Sequence, residues 1–171
     1  MRALGPGSVS TLLKIALDVI CVLLWAALGV LLAAALLALL LPQDLDVWSE
    51  VTRATARGPV LAGGIFAFAV SVAVVLFIVL RLRRIFSTLT AGDPFHPDNV
   101  LRLRAVGFAL AALELLNYVT NLVSGWVLKD QLHSVRFPFH PTAWFAVLVV
   151  FVLAEIFREG ARLRTEAELT I

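Results

Sequence analysis

The stretch VICVLLWAALGVLLAAALLALLL, from Val19 to Leu41, decides the fold class. It holds no charge and no proline, and it is longer than the roughly 20 apolar residues a helix needs to cross a hydrocarbon core about 30 Å thick. A secretory signal has an apolar region of about 7–15 residues followed closely by a small-residue cleavage site. Val19–Leu41 exceeds that length and no such site follows Leu41, so the segment is expected to stay as a transmembrane helix.

The rest of the chain agrees. Of its 171 residues, 61% are hydrophobic and only 15% are charged, and the mean hydropathy is +0.96. Soluble domains average about 25% charged residues, and a globule of this size cannot hide so much apolar surface from water. One cysteine, Cys21, excludes a disulfide scaffold, and inside an apolar span it reads as a small hydrophobe without a redox role. Three more spans follow: Pro59–Leu80, Ala105–Leu128 with Glu114 inside it, and Pro141–Phe157 with Glu155 near its end. In hydrocarbon the backbone must satisfy its own hydrogen bonds, so each span is a helix. The expectation is an all-α protein, a single membrane domain of four transmembrane helices in an antiparallel bundle. The spans cover about 12–41, 59–80, 105–128 and 141–157, with a loop at 81–104 and a tail at 158–171.

Basic residues set the orientation, because cytoplasmic loops carry an excess of Lys and Arg. Ten lie on one side: Arg2, Lys14, Arg81, Arg83, Arg84, Arg102, Arg104, Arg158, Arg162 and Arg164. Four lie on the other: Arg53, Arg57, Lys129 and Arg136. Both termini are therefore expected in the cytoplasm, as in a multi-pass membrane protein. Trp48, Trp126 and Trp144 fall near the outer ends of spans, where amphipathic indoles prefer to sit.

Glu114 is the polar residue that stands out within the spans. Asn117 and Asn121 follow at i+3 and i+7, which places all three on one helix face near mid-membrane. Intramembrane ionisable residues usually face a bundle interior or a wet cavity, so this face reads either as a polar site or as a hydrogen-bond knot that fixes helix register. Lys14 and Asp18, spaced i, i+4, suggest a local ion pair, with Glu155 possible nearby in space; Glu155 and Arg158 suggest another pair. Gly63, Ala67 and Ser71 in the second span, and Gly107 and Ala111 in the third, have the spacing that lets helices approach closely. Ordinary packing within the bundle is the simpler use of them; a homo-oligomer interface is the other.

The loop RLRRIFSTLTAGDPFHPDNVLRLRAVG (Arg81–Gly107) is the most distinctive segment. Arg81, Arg83 and Arg84 extend the second helix past the bilayer, and the run Ala91–Pro94, with Gly92 and Asp93, breaks it. His96 stands at an N-cap position, Pro97 fits the first helical residue and Asp98 suits the positive end of a new helix. Phe95 is placed to staple against Leu101 or the bundle. A docking surface built on Arg81, Arg83, Arg84, Asp93, Pro94, Phe95, Pro97, Asn99, Arg102 and Arg104 is one reading; a re-entry turn with positive-inside anchoring is the other. Direct nucleic-acid binding fits poorly, since these arginines lie against the bilayer without an aromatic platform.

The segment AGDPFHPDNVLRLRAVG resembles the signature of a bacterial membrane-protein family, the domain-of-unknown-function 2975 family, which follows G-[DE]-P-F-[ST]-P-[DE]-N-[VA]. The tail EIFREGARLRTEAELTI also resembles that family's ending, with Arg158, Gly160, Leu163, Glu166, Glu168, Leu169 and Thr170 in matching places. His96 departs from the Ser or Thr usual at its position. The resemblance implies four spans, no established activity and a partner: similar proteins are often encoded beside a small helix-turn-helix transcription regulator.

No catalytic or nucleotide-binding motif occurs, so no enzyme activity, cofactor or metal is expected. His133 and His140, with Asp130, lie on the outer loop, and the histidines stand seven positions apart with Pro138 between them. Two functions follow as expectations. One is a membrane-embedded regulatory partner of a cytoplasmic helix-turn-helix regulator, held through the loop and the tail residues Arg158, Glu166, Glu168 and Leu169. The other is a small-solute carrier or ligand sensor built on Glu114, Asn117 and Asn121.

Overall fold

The computed structural model describes residues 9–40, 59–91, 95–127 and 139–169. They form four helices: α1 (Val9–Leu40), α2 (Pro59–Thr90), α3 (Pro97–Val127) and α4 (Pro141–Glu168). All four are long and apolar enough to cross a membrane. Among the described residues there is no strand. The expected outer loops, with Trp48, Asp130, His133 and Arg136, and the turn residues Asp93 and Pro94 lie outside the described residues.

The helix ends follow local chemistry. Proline occupies the first position of α2, α3 and α4, where its missing N–H costs nothing and its fixed φ suits a helix. The last turn of α2 carries three hydroxyls that bond back to the chain: Ser87 to the Arg84 carbonyl (2.7 Å), Thr88 to Ile85 (2.7 Å) and Thr90 to Ser87 (3.0 Å). Such bonds compete with helix propagation. His96 does cap α3, with its Nδ1 accepting from the Asp98 N–H at 3.2 Å. The tail is not a separate element, because α4 continues through it to Glu168.

The helices pack in sequence order, α1 on α2, α2 on α3 and α3 on α4. Between α3 and α4, Arg104 meets Glu155, Gly107 meets Phe151 and Glu114 meets His140, so numbers rise along one helix as they fall along the other. Leu17, Cys21, Leu76 and Val79 form one buried cluster between α1 and α2. Ile85, Leu103 and Ala154 form a second, where α2, α3 and α4 come together. Much of the remaining apolar surface is exposed, including Trp25, Phe66, Phe108 and Phe145. That is the surface expected of helices whose outer solvent is lipid.

The two small-residue stripes behave differently. A Cβ on Gly107 would lie 3.0 Å from Cζ of Phe151, so this glycine admits the aromatic ring of α4. Gly63 is exposed and has open space around it, and Ser71 bonds to Ala67 of its own helix. Packing within the chain therefore uses Gly107 and not Gly63. Gly107→Ala should destabilise the protein by about 1–2 kcal/mol through overpacking. Gly63→Ala should leave it unchanged or slightly more stable, since Ala favours helix by up to ~1 kcal/mol. Unfolding midpoints in detergent micelles check both.

Candidate functional site

Polar chemistry collects at two places. The first is the arginine-rich end. Asn99, in the first turn of α3, is completely buried. Its Nδ2 donates to Thr88 Oγ1 of α2 at 2.7 Å, and its Oδ1 accepts from Arg102 at 3.0 Å. Arg102 also binds Asp98 at 3.2 Å. Phe95 turns onto α4 rather than Leu101: its ring stands 5.8 Å from that of Phe157, and a Cβ on Gly160 would come within 2.5 Å of it. Leu101 is exposed. Arg104 reaches Glu155 at 3.6 Å, and Arg158 pairs with the same carboxylate. Asn99 and Phe95, expected on a docking surface, thus serve mainly as joints, Asn99 to α2 and Phe95 to α4, while Arg102 braces the first turn of α3. The physical reason is that a buried amide needs hydrogen-bond partners, and an aromatic ring gains by contact with another ring.

The remaining arginines of the loop face outward. Arg81 lies over the Phe77 ring at 4.7 Å, and Arg84 is exposed. Asp18 of α1 pairs with Arg83 of α2 at 2.6 Å, not with Lys14 in its own helix. Glu155 joins Arg104 and Arg158, while Asp18 is paired with Arg83. On α4, Arg162 bridges Glu159 (2.8 Å) and Glu166 (3.4 Å), and Leu169 is strongly exposed. The Glu168 side chain lies outside what the structure describes.

The second place is the α3–α4 seam. The Glu114 side chain is only 7% exposed, and Oε1 lies 3.0 Å from His140 Nδ1. Asn117 and Tyr118 lie beside the same carboxyl. Tyr118 Oη in turn accepts from Trp144 Nε1–H at 3.1 Å. Two i, i+4 pairs, Glu114 with Tyr118 and His140 with Trp144, therefore face each other across two helices. Asn121 is exposed and takes no part in this group. Sequence reading found Glu114 but placed His140 in a polar loop. The one available signal was the four-residue step from His140 to Trp144, matched by the step from Glu114 to Tyr118.

Among the described residues no group of three or more His, Cys, Asp or Glu side chains could hold a metal ion. A family model described as "Protein of unknown function (DUF2975)" matches residues 54–171. No curated protein and no solved structure matches the chain.

Proposed function

Since the chain belongs to the DUF2975 family, which carries no assigned activity, we propose its function from its own geometry: a membrane-anchored interaction protein without catalysis. Its four helices form an antiparallel bundle with both termini in the cytoplasm, in the inner membrane of a bacterial cell. The partner is a small cytoplasmic helix-turn-helix regulator, and the lipid bilayer is the solvent for the rest.

One observation carries this reading. Beyond the bilayer, α4 lays Phe157 and Gly160 against Phe95. Arg158 lies two residues, about 200°, around the helix from Gly160, so the stripe Arg158, Arg162, Glu166 and Leu169 is turned away from the packed face. Three joined helices hold that stripe in one orientation. A fixed surface loses less entropy on binding than a mobile tail.

The test is capture of a small helix-turn-helix regulator, sought among the genes beside this one, by the full-length protein in nanodiscs. Binding is expected, with a loss of about tenfold or more in affinity for Arg162→Glu combined with Leu169→Asp. No retention of the regulator by the wild-type protein would count against the proposal. Reporter fusions after Leu128 and after Ile171 check the topology, with an outer reading expected for the first and a cytoplasmic one for the second.

A second reading, a sensor at Glu114, is favoured by the burial of that carboxyl. A solute path is less favoured, because His140, Tyr118 and Trp144 close over the polar face and Asn121 stands outside it.

A further inference from the structure

Charge is unevenly matched at the arginine-rich end. Arg83 binds Asp18, Arg102 binds Asp98, Arg104 and Arg158 share Glu155, and Arg162 lies between Glu159 and Glu166. Arg81 and Arg84 of α2 differ. Among the described residues neither meets a carboxylate, and neither does Lys14 of α1. Asp18 stands one turn from Lys14 on the same face of α1, but Arg83 already holds it. Where α1 and α2 meet, the cations Lys14, Arg81, Arg83 and Arg84 therefore stand against a single carboxylate among the described residues.

Phe77, Arg81 and Arg84 are spaced i, i+4, i+7, so they fall within an arc of about 60° on α2. That arc runs between two packed sides of the helix. Leu76, Val79 and Arg83 face α1; Leu82, Ile85 and Leu89 face α3 and α4. The arc itself is open, with Phe77 and Arg84 both exposed. Val70 and Phe66 continue it at i−7 and i−11 from Phe77, and Phe66 is exposed.

Arg81 also sits low in the bilayer. Helix side chains lean toward the N-terminus, which for α2 is toward the hydrocarbon, and the Arg81 guanidinium lies over the Phe77 ring at 4.7 Å. From Pro59 to Phe77, α2 rises 18 residues, about 27 Å. A hydrocarbon core is about 30 Å thick, so this cation stands where hydrocarbon gives way to head groups. Lipid phosphates lie in that layer, with acyl chains directly beneath them.

We propose that this face of α2 docks one anionic phospholipid. Its phosphate bridges Arg81 and Arg84, with Lys14 beside them, and an acyl chain runs down Phe77, Val70 and Phe66. Guanidinium–phosphate bonds are charge-assisted and often bidentate. A zwitterionic lipid carries a cation of its own next to the phosphate, so the unmatched charge selects lipids with net negative charge. The inference rests on α1 and α2 alone and does not depend on the α4 stripe or on any regulator.

The test is native mass spectrometry of the full chain in a neutral detergent, titrated with phosphatidylglycerol and with phosphatidylcholine of the same acyl chains. A basic residue near an anionic lipid is worth about fivefold in affinity. The wild type should therefore hold the first phosphatidylglycerol about tenfold more tightly than phosphatidylcholine, or better. Arg81→Gln with Arg84→Gln should remove most of that preference, and Arg81→Lys with Arg84→Lys should keep much of it. Arg84→Gln alone should cost severalfold. Arg164→Gln changes the net charge equally at an exposed position on α4 and should leave the preference intact. Millimolar inorganic phosphate should not displace the lipid. Equal binding of the two lipids by the wild type overturns the site. So does a preference that survives in the Arg81→Gln, Arg84→Gln protein, or a loss as large with Arg164→Gln as with Arg84→Gln. Displacement by inorganic phosphate overturns it too, since the arginines would then serve a free anion. Should the double Gln variant fail to fold, Arg84→Gln and Lys14→Gln, both at exposed positions, carry the decision: a severalfold loss in each is expected, and no loss in either overturns the proposal.

Discussion

Asn99→Ala should cost about 2–3 kcal/mol of stability and loosen the arginine-rich end while the four spans stay inserted. Asn99 is wholly buried and works in both directions, donating to Thr88 and accepting from Arg102. Alanine removes both bonds and takes one partner each from the half-buried Thr88 and Arg102. Thr88 still donates to the Ile85 carbonyl, and Arg102 still reaches Asp98, so the loss stays within that range. Thr88→Val should cost less, about 1 kcal/mol, because it removes one neutral partner. Asn99→Asp keeps an acceptor for Arg102 but loses the donor to Thr88, and should fall between them. The three unfolding midpoints, measured in the same detergent, check the order. Faster proteolysis at the turn between α2 and α3 should accompany the loss for Asn99→Ala. The Thr88→Val and Asn99→Ala effects should be less than additive, since they remove the same bond.

How far these features could be read beforehand differs from one to the next. The four spans were legible because a run such as Val19–Leu41 has only one stable form in lipid. The end of α2 at Thr90 and the His96 cap before Pro97 were legible because proline and glycine punctuate locally. Contacts between helices were not. These helices are apolar nearly all round, so periodicity does not say which face turns inward. Gly63 and Gly107 have the same neighbours in spacing, yet only Gly107 meets a ring. Asp18 has Lys14 one turn away but pairs with Arg83, whose position depends on how α1 and α2 slide against each other. The sharpest case is His140. It follows Glu114 by 26 residues, and only the register of α3 against α4 brings the two together. That register is set at the opposite end, by Phe95 on Gly160 and Arg104 on Glu155.

That dependence makes Gly160 the most exposed weak point of the fold. A glycine inside α4 sacrifices helix propensity, by about 1 kcal/mol relative to alanine. The structure explains its presence: a Cβ there would approach Phe95 Cε1 to 2.5 Å and Cδ1 to 2.6 Å. Swinging the ring aside would give up its contact with the tilted Phe157 ring. Gly160→Ala should therefore be destabilising despite the propensity gain, by about 1–2 kcal/mol net, and Gly160→Val by about 3 kcal/mol. Phe95→Ala removes the ring and should itself cost stability, through its lost contacts with Phe157 and Gly160. The informative variant is the double one. With Phe95→Ala in place, Gly160→Ala has room and should become neutral or stabilising, so the sign of its effect reverses between the two backgrounds. Unfolding midpoints of the four-member cycle read that reversal directly. A Gly160→Ala variant as stable as the wild type would mean that α4 is not held at this point, and the orientation of its Arg158–Leu169 stripe would then have no fixed cause.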